Sequence, residues 1–265
     1  MNLNKQGAGE PAPTARQKVR GIPISGVQMD LVNSAHGSYV RIRSDGPLRT
    51  LNSSPWGGGF GIHKALMNRQ VDKHYNEADP LVEMDAFIVR EGLNPRETAG
   101  MLTAAKVKDV GYSTLTWLGD TVRDLSCNSA VQSEENGPDR LHVCAWVTVG
   151  LGNKARAGAE LPAASLYPGT INTIIVINGQ LTDAAMVNAV ITATEAKTAA
   201  LQELGVEVDG EPATGTTTDA VLIAATCRGP VYSYAGTATA LGYMIGRTVY
   251  EAIMASGQLY EKTPY

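Results

Sequence analysis

The sequence predicts a single-domain α/β fold, a mixed β-sheet with an N-terminal β-meander and two long packing helices. Two groups of short runs predict the sheet. Three alternating runs lie near the N-terminus, and four later runs are mostly apolar, as in strands that are buried on both faces. Two long helical stretches in the C-terminal half predict the packing helices. At 265 residues, the chain is long enough to bury the core of one large domain.

The β-meander is predicted over residues 27–32, 39–42 and 48–51, because the segments between these runs carry turn-forming residues. A triple glycine follows, and then a predicted helix over residues 62–71. Another helix is predicted over residues 81–89. The apolar runs that predict buried strands cover residues 110–117, 141–149, 171–177 and 220–225.

The first long helix is predicted over residues 183–204, with Thr182 as its N-cap and Gly205 as its C-terminal stop. The second is predicted over residues 237–255, with its end marked by Gly257. Gly242 and Gly246 lie one turn apart on this second helix, and their spacing predicts close approach of another backbone.

Composition excludes several classes of protein. Residues 1–20 lack the apolar core of a signal peptide and are predicted to be a flexible polar tail ahead of a domain over residues 21–265. The net charge is −4 and there is no basic block, so a nucleic-acid partner is not expected. No apolar run approaches the ~20 residues of a membrane-spanning helix. Three widely spaced cysteines predict neither a disulfide framework nor a thiolate zinc site, and we expect a cytoplasmic location.

Glycine, threonine and asparagine cluster in three predicted turns at strand ends, residues 150–153, 169–172 and 214–219. Such turns expose backbone N–H groups and short hydroxyls, which bind carbonyl or phosphate oxygens. The same residues also satisfy ordinary turn geometry, but three such turns and a triple glycine together favour a binding site. The four histidines lack HxH and HxxxH spacing, so no metal site is predicted. Nucleophile-elbow, P-loop and dinucleotide fingerprints are also absent from the sequence.

Lys197 is a candidate site residue, because it lies in the middle of an apolar face of the helix predicted over residues 183–204. At about 100° per residue, that face is completed by Met186, Val190, Ala193, Leu201 and Leu204. A lysine in this position must reach the surface, pair with a carboxylate or face a pocket. Glu195 points to nearly the opposite side of the same helix. A purely structural ion pair at Lys197 stays open as the alternative interpretation.

Seven motifs follow one another along most of the chain from about residue 25 onward. They are SS and GGG within residues 53–59, GMLTAA at 100–105, GLGN and RAG within 150–158, GTINTI at 169–174, ATEAKTAA at 193–200, ATGTTTD at 213–219 and YAGT at 234–237. In this order they resemble the adenosylcobinamide amidohydrolases, a family of corrinoid salvage. One departure is visible, since Thr217 stands where that family more usually has a second glycine.

The resemblance implies hydrolysis of the amide that joins aminopropanol to a corrin-ring propionate of adenosylcobinamide. The products are adenosylcobyric acid and 1-amino-2-propanol. The expected partner is thus a small-molecule corrinoid whose cobalt arrives with it, and no separate cofactor is expected. Amide hydrolysis needs a base for the nucleophile, donors for the oxyanion and an acid for the leaving amine. We expect Asp219 or Glu195 as base, Lys197 as electrostatic or acid partner, and the backbone N–H groups of the turns as donors.

The expected substrate-binding residues lie in or beside the same turns. They are Ser54, Gly58, Gly59, Asn153, Arg156, Thr170, Asn172, Thr216 and Thr218. The nucleophile is either an activated water or a threonine such as Thr170 or Thr218, and self-cleavage at the Gly169–Thr170 bond is a further alternative. Two other function classes stay open: a non-catalytic corrinoid-binding or carrier protein, and a transferase that acts on a phosphorylated or nucleotide substrate.

Overall fold

A computed structural model describes residues 15–18, 22–118, 121–124, 140–160 and 169–262. Its helices are α1 (Pro80–Arg90), α2 (Asp183–Glu203) and α3 (Ala240–Lys262), with 3-10 turns at Pro95–Glu97 and Val107–Asp109. Its strands are β1 (Ala15–Lys18), β2 (Val27–Ser34), β3 (Gly37–Asn52), β4 (Gly59–Gln70), β5 (Thr98–Thr103), β6 (Gly111–Leu118), β7 (Thr121–Asp124), β8 (His142–Val149), β9 (Lys154–Ala155), β10 (Ile171–Ile177), β11 (Gln180–Leu181), β12 (Glu207–Val208), β13 (Glu211–Pro212), β14 (Gly215–Thr216), β15 (Ala220–Ala225) and β16 (Val231–Tyr232).

The main sheet runs in the order β1-β2-β3-β15-β10-β8-β6-β7. β10 and β15 are parallel, whereas the other neighbours along this path are antiparallel. β4 pairs with the long strand β3, and β5 then adds to β4 in parallel. The chain thus forms the single α/β domain with a mixed sheet that the sequence predicts.

Both faces of the central strands are buried, as their mostly apolar runs predict. On one face Val147, Ile175 and Ile223 pack in a single cluster with residues of α2 and α3. On the other face Ile174 and Leu222 pack with residues of β4 and β5. Alternate residues of a strand point to opposite faces, so each central strand contributes to both clusters. The ends of these strands are therefore held between two packed layers.

The two long helices were predicted correctly in kind, and the second differs in its bounds. Thr182 caps α2, its hydroxyl accepting from the Ala185 N–H, and Gly205 follows the helix with a φ of +66°. α3 begins three residues later than predicted and continues past Gly257 to Lys262. A side chain at position 257 would collide with Leu204, 2.5 Å from its nearest carbon, so this glycine permits helix packing rather than ending the helix.

The N-terminal half contains the main corrections. The predicted meander strands over residues 39–42 and 48–51 form one strand, β3, with an irregularity between Arg43 and Leu48. The helix predicted over residues 62–71 is wrong, because this segment lies in β4 and is paired on both sides, with β3 and β5. Its residues include good helix formers, but these long-range pairings outweigh local propensity. The helix predicted over residues 81–89 is confirmed as α1.

The segment predicted to be a flexible tail is described only in part. Ala15–Lys18 form β1, which pairs with β2 and places Lys18 opposite Asp30. The other residues of the segment 1–20 lie outside the described part of the chain. None of the described helices is long and apolar enough to cross a membrane.

Candidate active site

The three turns rich in glycine, threonine and asparagine meet at one end of the central sheet. They meet for two reasons. β10 and β15 are parallel, so both strands begin at the same edge of the sheet. β8 is antiparallel to β10, so its end lies beside the start of β10. Hydrogen bonds join them: the Thr217 N–H donates to the Asn153 carbonyl at 3.2 Å, and the Thr218 hydroxyl donates to the Gly169 carbonyl at 2.9 Å. The Asn153 amide group also donates to the Thr217 hydroxyl at 2.6 Å. The turns thus form one connected surface.

Asp219 is the electrostatic centre of this surface. Its Oδ1 accepts from the Ile171 N–H at 2.9 Å and from the Thr216 hydroxyl. Its Oδ2 accepts from the Thr216 N–H at 3.0 Å and from Lys197 Nζ at 2.5 Å. A carboxylate offers about four lone-pair positions, so all of them are occupied. The carboxylate is therefore fixed in one orientation between β10, α2 and its own turn.

Lys197 reaches Asp219 from the middle of α2. The side chains of Lys197 and Asp219 are 11% and 12% exposed, and Ala193 and Leu201 on the same helix face are buried. The predicted apolar surroundings of Lys197 are thus confirmed. Gly215 makes the approach possible, because a Cβ there would lie 2.6 Å from Lys197 Nζ and would also collide with the Asp219 carboxylate.

A cavity of about 440 Å³ opens beside this pair. Lys197, Asp219 and Thr216 line it together with Arg156, whose Nη1 donates to the Pro212 carbonyl at 2.6 Å. Thr194 and Thr198 of α2 form another part of its wall. The sequence-predicted residues Lys197, Asp219, Thr216 and Arg156 are therefore brought to one cavity that contains a cation–carboxylate pair and several hydroxyls.

Three other predicted residues, Asn153, Thr170 and Thr218, line a second cavity of about 280 Å³. The Thr170 hydroxyl donates to the Thr218 carbonyl at 2.8 Å, so these turns are held together there as well. Tyr75 lines the same cavity, and sequence reasoning missed it. Burial and its hydrogen bond to Glu83 raise the pKa of Tyr75 to about 12, so its hydroxyl stays protonated at neutral pH.

Asn172 lies below the surface rather than in either cavity. Its amide group donates to Asn68 Oδ1 and to the Leu102 carbonyl, both at 2.8 Å, and its side chain is buried. Asn68 in turn donates to the Thr148 hydroxyl at 2.9 Å. These bonds tie β4 and β5 to the ends of β8 and β10. Asn68 carried no sequence signal, because it belongs to the segment that was predicted to be helical.

Ser54 and Gly58 lie in the turn between β3 and β4, and Gly59 begins β4. None of the three residues lines either cavity. The Ser54 N–H donates to Asn52 Oδ1 at 3.0 Å. A Cβ at position 58 would lie 2.6 Å from the Ser54 carbonyl oxygen, and Gly59 has a φ of +72°. The tight turn thus accounts for both glycines, and a role in substrate binding stays a prediction for all three residues.

Glu195 is exposed and does not join Asp219 and Lys197. Two residues along a helix rotate a side chain by roughly 200°, which directs Glu195 away from Lys197. It lines a groove of about 380 Å³ between α2 and α3, beside Tyr243 and Arg247. Of the two acidic candidates, the structure brings only Asp219 to the cavity that contains Lys197.

No group of three or more metal-ligating side chains occurs within the described residues.

The most informative signal in the sequence is the spacing of Thr216 and Asp219. Thr216 precedes Asp219 by three positions, and this lets both the hydroxyl and the N–H of Thr216 reach one carboxylate. The contact with Lys197, 22 residues away, required the three-dimensional fold.

Comparison with known proteins identifies the family. The sequence model of the adenosylcobinamide amidohydrolases matches residues 26–264. The chain belongs to the adenosylcobinamide amidohydrolase family. The resemblance of its motifs to this family is thus confirmed. The match includes all the residues that line the two cavities.

Two of three similar curated proteins are adenosylcobinamide amidohydrolases by name. An adenosylcobinamide amidohydrolase of Methanosarcina mazei is 36% identical over 213 residues, which cover 76% of this chain and 86% of that protein. One of Halobacterium salinarum is 38% identical over 43% of this chain and 49% of its own length. The protein MJ1613 of Methanocaldococcus jannaschii is 35% identical over 48% of this chain and 57% of its own. The chain thus spans about half the length of the last two relatives.

Among solved structures, the PH0078 protein of Pyrococcus horikoshii aligns with 95% of this chain and 88% of its own. The TM-score is 0.42 and the sequence identity is 11%.

Proposed function

We propose that this chain hydrolyses the linear amide between aminopropanol and a corrin-ring propionate of adenosylcobinamide, in the cavity beside Lys197 and Asp219. The observation that carries the proposal is the cluster of Lys197, Asp219 and Thr216 on the wall of a 440 Å³ cavity in a member of this family. The products are adenosylcobyric acid and 1-amino-2-propanol. The cytoplasmic location expected from the sequence is part of the proposal.

The dimensions of the cavity support binding of one arm of the substrate. A corrin macrocycle with its axial ligand is larger than the cavity, whereas an extended propionamide arm with aminopropanol fits it. The macrocycle then lies at the mouth of the cavity, close to Arg156. Asn153, Thr170 and Thr218, on the neighbouring cavity, are the proposed partners of the other amide groups. Turns that present short polar side chains suit a ligand whose rim carries many amides.

The charges support amide hydrolysis in particular. Attack on the amide carbon develops negative charge on its oxygen, and a fixed ammonium in a partly dehydrated cavity stabilises that charge strongly. Lys197 supplies the ammonium, and its bond to Asp219 holds it in place. Asp219 is the proposed base that accepts the proton of the nucleophile and returns it to the leaving amine. Glu195, on the other side of α2, has no role in this scheme.

Product analysis tests the proposal. Purified protein is incubated with adenosylcobinamide, and adenosylcobyric acid and aminopropanol are measured by mass spectrometry. We expect both products in equal amounts from the wild-type protein. Folded protein that binds adenosylcobinamide and yields no product contradicts hydrolysis and supports the carrier. Thermal stabilisation by a nucleotide but not by the corrinoid supports the transferase instead.

A further inference from the structure

The hydroxyl groups around the site differ in what accepts their protons. The Thr170 hydroxyl donates to the Thr218 carbonyl, and the Thr218 hydroxyl donates to the Gly169 carbonyl. A backbone carbonyl is a very weak base, so neither of these hydrogen bonds, among the described residues, gives its hydroxyl an acceptor that can take its proton. The Thr216 hydroxyl donates instead to the carboxylate of Asp219. It is thus the threonine with a base in place, although the sequence pointed to Thr170 and Thr218 as possible nucleophiles.

The hydrogen bonds of Asp219 also favour threonine over water as the nucleophile. Its two oxygens already accept from Ile171, Lys197 and Thr216, the last through both the N–H and the hydroxyl. An attacking water has no free lone pair on Asp219 to which it can donate. Of these four donors, the Thr216 hydroxyl is the one whose proton loss yields an oxygen nucleophile. It also lines the cavity, where a substrate carbonyl can approach it.

We propose that the Thr216 hydroxyl is the nucleophile and that hydrolysis proceeds through an ester between Thr216 and the corrin propionate. This inference rests on the proposed amide hydrolysis. The arrangement contains the three parts that covalent catalysis requires: a nucleophile, a base within hydrogen-bond reach, and a third group that orients the base. Thr216, Asp219 and Lys197 are these parts, in that order.

The reaction balances in two steps. In the first, Thr216 Oγ attacks the amide carbon, its proton moves to Asp219, and the ammonium of Lys197 stabilises the oxyanion. The C–N bond then breaks, and the proton passes from Asp219 to the nitrogen of the departing aminopropanol. In the second step, water attacks the ester and gives a proton to Asp219. The C–O bond to Thr216 breaks, the proton returns to Thr216 Oγ, and the corrin carboxylic acid is released.

Trapping of the ester is the direct test. Wild-type protein is mixed with adenosylcobinamide, quenched in acid and digested, and the peptide that contains Thr216 is examined by mass spectrometry. We expect this peptide to carry the mass of adenosylcobyric acid minus water. Neutral hydroxylamine added during turnover intercepts an ester and forms the corrin hydroxamate, which we expect only in the presence of active enzyme.

Variants complete the test. Thr216→Val keeps the shape of the side chain but removes the hydroxyl, and we expect turnover to fall at least ~10³-fold with no hydroxamate. Thr216→Ser retains a hydroxyl and should retain ester formation. Thr248→Val is the matched control, because its hydroxyl donates to the Met244 carbonyl in its own helix, α3, and lines neither cavity. We expect its turnover to stay within about twofold of wild type.

The outcomes separate this inference from the proposed function. Wild-type protein that releases aminopropanol but forms neither peptide ester nor hydroxamate overturns the threonine nucleophile and leaves hydrolysis by water standing. Near-normal turnover of folded Thr216→Val does the same. Wild-type protein that releases no aminopropanol overturns the proposed function itself. If Thr216→Val fails to fold, the trapping experiment on wild type and on Thr216→Ser still decides.

Discussion

Two of the cation–carboxylate pairs that are largely withdrawn from solvent within the described residues, Asp30–Arg41 and Asp219–Lys197, are built differently. Asp30 and Arg41 face each other on β2 and β3, with side chains 1% and 4% exposed. Nε and Nη2 of Arg41 both donate to Oδ2 of Asp30, at 3.2 and 2.7 Å, and Oδ1 is buried without a partner among the described residues. At Asp219, by contrast, each oxygen accepts from two donors, and one of them is a hydroxyl on a cavity wall.

This difference shows that burial of an ion pair does not by itself indicate a functional site. Buried pairs also occur as structural elements, and removing one partner is costly where the other charge is left buried without compensating bonds. The pair of Lys197 and Asp219 is distinguished by its cavity and by the hydroxyl of Thr216. The pair of Asp30 and Arg41 contains a planar guanidinium and is buried on the neighbouring strands β2 and β3, and both features suit a structural role. The predictions below treat the two pairs in parallel.

The largest expected effect on stability is at the sealed pair. Arg41→Met leaves the buried carboxylate of Asp30 with Arg43 alone, whose Nη2 lies 3.2 Å from Oδ2, and we expect the free energy of unfolding to fall by about 3 kcal/mol. Urea unfolding measures this change. Turnover per folded molecule should stay unchanged, because β2 and β3 hold the pair away from the cavity. A loss of turnover in folded Arg41→Met would contradict the structural assignment of this pair.

Asp219→Asn should lower turnover and retain the fold, whereas Arg41→Met should lower stability and retain turnover. The amide cannot accept a proton from the nucleophile, so we expect kcat to fall at least ~10²-fold, equivalent to about 2.7 kcal/mol in activation free energy. Its oxygen can still accept from the Ile171 N–H, so the fold should be retained. Asp30→Asn is the matched control and should keep its turnover. Normal turnover of Asp219→Asn would move the role of base to another residue, and loss of folding would indicate a structural cap.

Burial of His142 should make the free energy of unfolding depend on pH. Burial, assisted by the charge of Arg140, lowers the pKa of His142 to about 4 from 6.5. Between these values the unfolded chain binds a proton that the folded chain does not, so stability decreases as the pH falls. We expect a loss of about 2 kcal/mol between pH 7 and pH 5 from this residue. His142→Asn, which can keep the hydrogen bond to Thr116, should lose correspondingly less stability over this range. If urea unfolding shows the same pH dependence for wild type and His142→Asn, the lowered pKa of His142 does not account for it.

The smallest effect is expected at the N-terminus. Residues 1–14 are polar and contribute little apolar surface, so their deletion should change the free energy of unfolding by less than ~1 kcal/mol and leave turnover unchanged. Deletion to residue 18 also removes β1, which covers the strand that holds Asp30, and should destabilise the protein further. A large effect of the shorter deletion would show that residues 1–14 pack on the domain.

Sequence reasoning succeeded where the signal was local. The apolar runs of β8, β10 and β15 and the caps of α2 predicted the central sheet and its covering helix. The position of Lys197 within an apolar face was likewise visible, because helix geometry follows from spacing alone. Its partner Asp219 could not be predicted, because the sequence does not show which carboxylate a buried lysine contacts.

The failures have a common physical cause. β4 is rich in helix formers and becomes a strand through pairing with β3 and β5, and β5 itself is too short and mixed to be recognised. These pairings bring Asn68 to Asn172, so a predicted binding residue became part of a buried network. The distinction between Thr216 and the threonines at 170 and 218 depends on individual acceptors, which only the folded chain defines.

One substitution tests most directly whether Lys197 and Asp219 form a catalytic pair. Lys197→Met replaces the cation by an apolar side chain of similar length, as Arg41→Met does at the sealed pair. Asp219 retains its three bonds to Ile171 and Thr216 and has the cavity beside it, so the melting temperature should stay near that of wild type. Turnover with adenosylcobinamide should fall sharply, because the oxyanion loses its ammonium. An unstable Lys197→Met protein, or a stable one with normal turnover, would contradict the account.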